Sequence, residues 1–556
     1  MSEDTTASQP CRQHNLDVLT ARLLGNASPA GDGFGVEATY AVTHADGTPV
    51  TFMEQQGLAV LLDELGSTYP EQVYDDQGML SAIQRNDGGV MEIVSYEGDG
   101  SLKLSAGPFD DLMKSAAAFE AFRARASEKL AGREQAIAQL SLTPTGLDNL
   151  MTAHHRTTDQ VGIELEQFVL HGDLTRVSWS EEHGIRSLLQ DIAPAWEGKK
   201  AYTEDGELIG LSRSVDGFQQ NITLEPAGQL EISAGPYSDM NTAKEQLEAF
   251  QDEISKTLSD RGQMILPLGY MPVGKAEDME LIPKDRYRFM DRYFRKFGPY
   301  GTCMMRGSAS TQVSVDFRDE DDCKRKFRLA NALGPILALM CCNTMRFEDE
   351  NCDRIMMRTM MWNGVDRARC NVAPGTFDAD WTPRTYAEWL LDVPAIVAPD
   401  GNGGWRYDER TFGEIYANTP MTPEDADHAM SMVFPDVRLK GFIEIRVADS
   451  MPVEYAAALA AFAKGLFSTD DALAQAENVL DMDHIHSKDI TLAKLSMMEK
   501  GYDAEIYGGK KTSDIAARLH MIAKFHLNPD ERKVLEPLTT LAMNGLTLAE
   551  LTDLML

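Results

Sequence analysis

The 556-residue sequence is short of positive charge: 52 lysines and arginines stand against 87 aspartates and glutamates, a formal net charge of -35. A surface of that sign repels polyphosphate and anionic lipid, so neither nucleic acid nor a membrane surface is expected as a partner. Long apolar runs are also missing. The most apolar stretch, residues 329–342, is broken by Asn331, Gly334 and Pro335. It is shorter than the roughly 20 residues that a membrane-spanning helix needs, so a buried helix is expected there. The first ten residues show no basic patch followed by an apolar core, and no secretory signal is expected. Cysteine is scarce and scattered. Cys11, Cys303, Cys323, Cys341, Cys342, Cys352 and Cys370 form no CxxC pair and no zinc spacing. Free thiols in a reducing cytoplasm are the expectation, with a regulatory disulfide within residues 303–370 as the alternative. His428, His484 and His486 lack the spacing of a metal site and read as structural or surface histidines.

Hydrophobic residues make up 43% of the chain, enough for a sizeable core. The chain also contains a repeat. Gly35-Val36-Glu37-Ala38-Thr39 resembles Gly162-Ile163-Glu164-Leu165-Glu166, 127 residues later. Leu102-Lys103-Leu104-Ser105-Ala106-Gly107-Pro108-Phe109 resembles Leu230-Glu231-Ile232-Ser233-Ala234-Gly235-Pro236-Tyr237, 128 residues later. A helical pattern follows each, and another lies between the two blocks, at 57–65 and 184–189. Each copy therefore reads as strand, helix, strands, helix: an α+β module on an antiparallel sheet. The second copy has Glu164, Glu166, Glu225 and Glu231, where the first has Glu37, Thr39, Glu97 and Lys103. A lysine among carboxylates competes with a cation, so the first copy reads as a degenerate, non-catalytic module. The expected division is 1–141 for that module and 142–556 for the rest.

Glu164 and Glu166 are two apart in a strand-like stretch, so their side chains share one face while Ile163 and Leu165 take the other. Adjacent carboxylates repel unless a cation lies between them, and magnesium takes oxygen ligands of this kind. Glu225 and Glu231 flank a Pro226-Ala227-Gly228 turn that brings them back to the same sheet. The pattern admits a divalent-cation site or a solvated acidic face.

Six blocks resemble the plant and proteobacterial type of glutamate–cysteine ligase. They are 162–168, 222–233, 281–290, 311–317, 357–362 and 434–449, in that family's order. The resemblance implies a glutamine synthetase-like fold: a curved antiparallel sheet with helices outside. It implies ATP-dependent activation of the γ-carboxylate of L-glutamate as a phosphate, followed by attack of the L-cysteine amine. It further implies Glu164, Glu166, Glu225, Glu231 and Glu444 as ligands of Mg2+. Arg446 and Arg358 are implied as catalytic cations, and Arg306, Gln312 and Trp362 as substrate or nucleotide contacts. Lys284, Arg286 and Arg288 read as a solvated basic turn. The chain departs from the family's pattern at Ser314, Val447 and Ser450-Met451. Those departures bear on the amine acceptor, so another amine, or a nucleotide-binding paralogue without turnover, stands as the alternative. Helices are expected at 454–467, 488–500 and 512–523, and a last one at 547–556.

Overall fold

The computed structural model describes residues 9–24, Val50, Tyr69, the strands and helices named below between 34 and 145, and 159–555 except 204, 353 and 401–403. Two compact units result: Gly25–Arg156, and Met1–Leu24 with Thr157–Leu556. The division differs from the expected cut at 141/142 at both ends. Strand pairing carries the first unit through Thr145. The helix Gln9–Leu23 belongs to the second unit, where Leu16, Leu19 and Leu23 join the large core. Asn15 secures it there, donating to Tyr416 O at 3.0 Å and accepting from Met421 N at 2.8 Å.

The 25–156 unit is a six-stranded antiparallel sheet built from β1 (Phe34–His44), β2 (Glu71–Tyr74), β3 (Leu80–Asp87), β4 (Val90–Tyr96), β5 (Ser101–Phe109) and β6 (Gln135–Thr145). Its order is β2-β3-β4-β5-β1-β6. Alternating residues Tyr40, Val42, Leu102, Leu104 and Ala106 turn one face toward Leu61, Leu62 and Leu65 of helix Leu58–Leu65 and Phe122 and Ala126 of helix Leu112–Leu130. That two-residue period is the pleat at work.

The second unit carries β7 (Val161–His171), β8 (Lys200–Tyr202), β9 (Leu208–Val215), β10 (Phe218–Leu224), β11 (Leu230–Tyr237), β12 (Gln263–Leu266), β13 (Ser310–Val315), β14 (Val437–Leu439) and β15 (Ile443–Asp449). They form one antiparallel sheet in the order β14-β15-β13-β7-β11-β10-β9-β8, with β12 on the far end of β7. From β8 to β7 the strand order matches that from β2 to β1. The register matches too: Glu37 faces Ser105 and Thr39 faces Lys103, as Glu164 faces Ser233 and Glu166 faces Glu231.

A polar cluster recurs at the same offsets. In the 25–156 unit, Arg85 and Arg125 each pair with buried Glu92 at 2.8 Å, and the Tyr69 hydroxyl donates to Glu92 at 2.8 Å. In the second unit Arg213 donates to Gln220 at 2.8 Å and pairs with Glu253 at 2.8 Å. Trp196 lies under Arg213, and its N–H donates to Glu253 at 3.2 Å. The acid sits on the strand in one unit and on the helix in the other, with an arginine taking the vacated helix position.

Helices cover the apolar face of the second sheet. Glu320–Met340 contains the apolar stretch noted in the sequence and is buried throughout its second half. Asp319 caps it, and Glu320, Asp321 and Asp322 fill a first turn that favours negative charge. Val453–Phe467 packs its small residues against β7 and β13. Helices Ser487–Lys500, Thr512–His526 and Leu548–Met555 follow near the expected places. Among the described residues no helix is long and apolar enough to cross a membrane. The basic turn expected at 284–288 is instead the start of helix Asp285–Phe294. There Arg286 is half-buried and donates to Ser431 Oγ at 3.0 Å and Ser431 O at 2.7 Å.

Candidate active site

The second sheet has one apolar and one polar face. Ile163, Leu165, Ile232, Val313 and Ile445 alternate inward to the helices. The intervening residues Glu164, Glu166, Glu231, Gln312, Glu444 and Arg446 share the other face, as strand alternation requires. Glu166, Glu225 and Glu231 gather there, with one carboxylate oxygen of each within 4.8 Å of the others.

Glu166 is buried and held at both oxygens. Ser310 N–H and Oγ–H reach it at 2.6 and 2.8 Å, and the Gln312 amide at 3.0 Å. Ser450, at one of the family departures, holds the Glu166 carbonyl with its hydroxyl. Glu231 accepts from Thr223 at 2.5 Å and Ser233 at 3.2 Å. Glu225 comes from the turn between β10 and β11, closed by Gly228 N–H to Glu225 O at 2.8 Å. Gly228 has φ +79, a conformation that disfavours a side chain.

The charge of this group is not balanced from within. Burial, then Glu166 and Glu231, push the Glu225 carboxyl well above its ordinary pKa. Burial and Glu231 also raise Glu166. Glu164, beside them on β7, is raised to about 8 by burial and by Glu231 and Glu444. Three carboxylates that cannot all ionise comfortably, with their oxygens converging, suit a divalent oxygen-loving cation.

Glu444 stands apart from the three. It is fully buried and ringed by cations: Arg438 at 2.6 Å, Arg446 at 2.9 Å and Lys440 at 3.5 Å. Burial works to raise its pKa, yet these three cations hold it well below the ordinary value. Its carboxylate is thus engaged by Arg438, Arg446 and Lys440. Arg446 Nη1 also donates to Gln312 Oε1 at 2.5 Å. Gln312 thus links Arg446 on one side to Glu166 on the other.

Beyond Arg446 lies a small, partly open pocket lined by Arg358, Trp362, Phe434, Asp436, Arg446 and Lys494 among others. Arg358 is 7% exposed and donates to Arg446 O at 3.1 Å, leaving its Nε without a hydrogen-bond partner. Burial lowers its pKa. The Trp362 indole N–H is buried without a partner as well. Such groups suit an incoming anion or acceptor. Arg358, Trp362, Arg446 and Gln312 are therefore brought together beside the acids.

Arg306 is not. Its guanidinium pairs with Asp291 at 2.7 Å and donates to Met279 O at 2.8 Å, well occupied within a buried network. Residues that the sequence reading passed over are Ser310, Arg438, Lys440 and Lys494. Arg438 faces Glu444 across the β14–β15 hairpin, a pairing that the spacing around Gly441 carries. Lys494 comes from a distant helix, and no local pattern announces it. Five of the seven cysteines are buried. His428 is buried, its Nε2 2.8 Å from Val397 O, and His484 is exposed.

Residues 160–554 match the family described as glutamate-cysteine ligase family 2 (GCS2). The chain is 30% identical over 358 residues to the chloroplastic glutamate–cysteine ligase of Arabidopsis thaliana, covering 63% of this chain and 67% of that protein. It is 31% identical over 330 residues to the chloroplastic enzyme of Brassica juncea, covering 58% of this chain and 62% of that one. A solved glutamate–cysteine ligase from Francisella tularensis in complex with AMP is a distant likeness, with 13% identity, 71% of this chain and 84% of that one covered, and a TM-score of 0.40.

Proposed function

This chain belongs to glutamate-cysteine ligase family 2, and from that premise we propose that it joins the γ-carboxylate of L-glutamate to the amine of L-cysteine at the expense of ATP. The observation that carries the reading is the continuous polar line from Glu225, Glu231 and Glu166 through Gln312 to Arg446 and Arg358. In-line phosphoryl transfer needs charge neutralised on both sides of the transferred group.

Glu166, Glu225 and Glu231 would hold Mg2+, with Glu164 alongside. The metal would supply charge neutralisation for the nucleotide phosphates. Arg446, oriented by Glu444 and Gln312, presents a fixed cation to the phosphoryl oxygens. Arg358 and the Trp362 N–H offer donors to a carboxylate or to the γ-glutamyl phosphate. The cysteine amine then displaces phosphate, closing the amide. The fold is of the glutamine synthetase type in this proposal, and the scattered cysteines without CxxC or zinc spacing support a reducing compartment, the cytoplasm. We read residues 25–156 as a degenerate copy of the first module of the catalytic unit, supported by the shared strand order, register and arginine–aromatic–acid cluster.

The deciding assay follows ADP release with ATP, Mg2+ and L-glutamate, with and without L-cysteine, and weighs the product. Cysteine-dependent release with γ-glutamylcysteine formed upholds the proposal. Turnover with a different amine would move specificity to Ser314 and to Val447, which lines the pocket.

A further inference from the structure

Of the three converging acids, Glu166 and Glu231 ride on regular strands, whose ladder hydrogen bonds place them. Glu225 sits at the turn that follows the paired residues, where its N–H donates to Gln229 O at 3.0 Å. The Tyr287 hydroxyl donates to Leu224 O at 2.7 Å and Ile282 N–H to Pro226 O at 3.0 Å, and the side chains of Arg176 and Gln229 add a brace of their own.

Arg176 is stitched by its backbone to the end of β7, bridging Leu170 after a tight turn in which His171 N–H donates to Thr175 O at 2.8 Å. Its side chain runs beneath the Phe168 ring, 5.5 Å from the centroid. The guanidinium then donates to the carbonyl of Ala227, inside the Glu225 turn, and to Gln229 Oε1 at 3.0 Å. Its other nitrogen donates to Arg306 O at 2.8 Å, on the segment that leads into Ser310. Among the described residues these hydrogen bonds go to neutral acceptors, and burial lowers the pKa of the guanidinium to about 9. A desolvated cation that serves backbone carbonyls is costly unless the geometry it enforces matters.

Gln229 completes the brace. Its Oε1 also accepts from Ala227 N–H at 3.1 Å, and its Nε2 donates to Ser308 O at 2.9 Å. One amide therefore ties the turn bearing Glu225 to the chain just before Ser310, the residue that clamps Glu166. We propose that Arg176 and Gln229 are positioning residues that set the spacing of Glu225 from Glu166 and Glu231 and so tune affinity for a divalent cation. The inference rests on the metal reading above. Neither side chain is taken to touch the ion; they act as outer partners of a ligand, whose loss typically costs 10- to 100-fold in affinity.

The test measures Mn2+ binding to the metal-free, nucleotide-free full chain by isothermal calorimetry, with melting temperature recorded for each variant. Arg176→Lys keeps the charge but loses the fork that reaches several acceptors at once, and Gln229→Leu keeps the bulk but loses every side-chain hydrogen bond. Each is expected to weaken Mn2+ about tenfold, with melting within a few degrees of the parent. Glu225→Gln serves as the reference. Should Glu225→Gln leave Mn2+ binding intact, the three-carboxylate site itself is refuted. Should Glu225→Gln weaken binding while Arg176→Lys and Gln229→Leu bind as the parent does, the positioning role is overturned and the metal site stands. If either variant fails to fold, Gln229→Asn, with its amide kept and its reach shortened, decides by the same criterion.

Discussion

Carboxylates taken out of solvent in the two sheets, which share a strand order, are handled in opposite ways. Glu92 in the 25–156 unit has Arg85, Arg125 and the Tyr69 hydroxyl around it, and they draw its pKa below the ordinary value although burial acts the other way. Glu166, Glu225 and Glu164 in the second unit are pushed upward by burial and by neighbouring carboxylates, Glu231 being common to all three. A paired acid contributes to stability. An unpaired cluster costs stability in the free protein and waits for a cation from outside. Under the proposed function, that difference is one between a sheet that serves as framework and one that serves as site.

The largest break in this comparison is to write one unit's residues into the other. Glu231→Lys, which copies Lys103, should lower ADP release on the order of a thousandfold, and Glu166→Thr, which copies Thr39, nearly as much. Lys103→Glu should leave turnover within about twofold.

Next come opposite stability changes from the same chemical step. Glu92→Gln strips two half-buried arginines of their acid and should destabilise the 25–156 unit by about 3 kcal/mol. Glu225→Gln should raise the melting temperature of the metal-free chain while abolishing its response to Mg2+. Calorimetric melting in EDTA reads both.

The pH dependence should differ in sign as well. With a lowered folded pKa, the Glu92 contribution is full above about 4.5 and is lost as pH falls through the folded value. Glu164, raised to about 8, keeps its proton in the folded state, so the metal-free protein should lose stability as pH climbs from 4.5 toward 8. Glu164→Gln should flatten that limb of a melting-versus-pH profile. A profile that rises across this range and is unchanged by the substitution would sink the account.

The smallest effect tests the clusters themselves. Glu253→Arg alone sets two arginines against Trp196 without an acid, whereas Glu253→Arg with Gln220→Glu rebuilds the Glu92 arrangement. A double-mutant cycle on urea-denaturation free energies should give a favourable coupling of about 1 kcal/mol.

Much of this was legible without coordinates. Strand alternation alone places Glu164 and Glu166 on one face, and the constant spacing of the repeat announces two sheets of one design. The helices at 453–467 and 487–500 follow from apolar periodicity. Arg306 and Glu444 were less legible, because their roles depend on Asp291 and on Arg438 and Lys440, and a motif gives no sign of which partner already occupies a charged group. The domain boundary was legible only roughly: the helix Gln9–Leu23 precedes one unit in the chain and packs into the other.

By itself, the sequence determined the α+β class, the repeat, the family and the acids that face one way, since all of these rest on local period and spacing. Only the tertiary structure decided which acids converge, which are already paired, and how Gln312 joins the acids to the arginine pocket. Those outcomes depend on distances between side chains of different chain segments, from Arg438 beside Glu444 to Gln312 bonded to Glu166 146 residues away, and charge balance in a buried site is set by those distances.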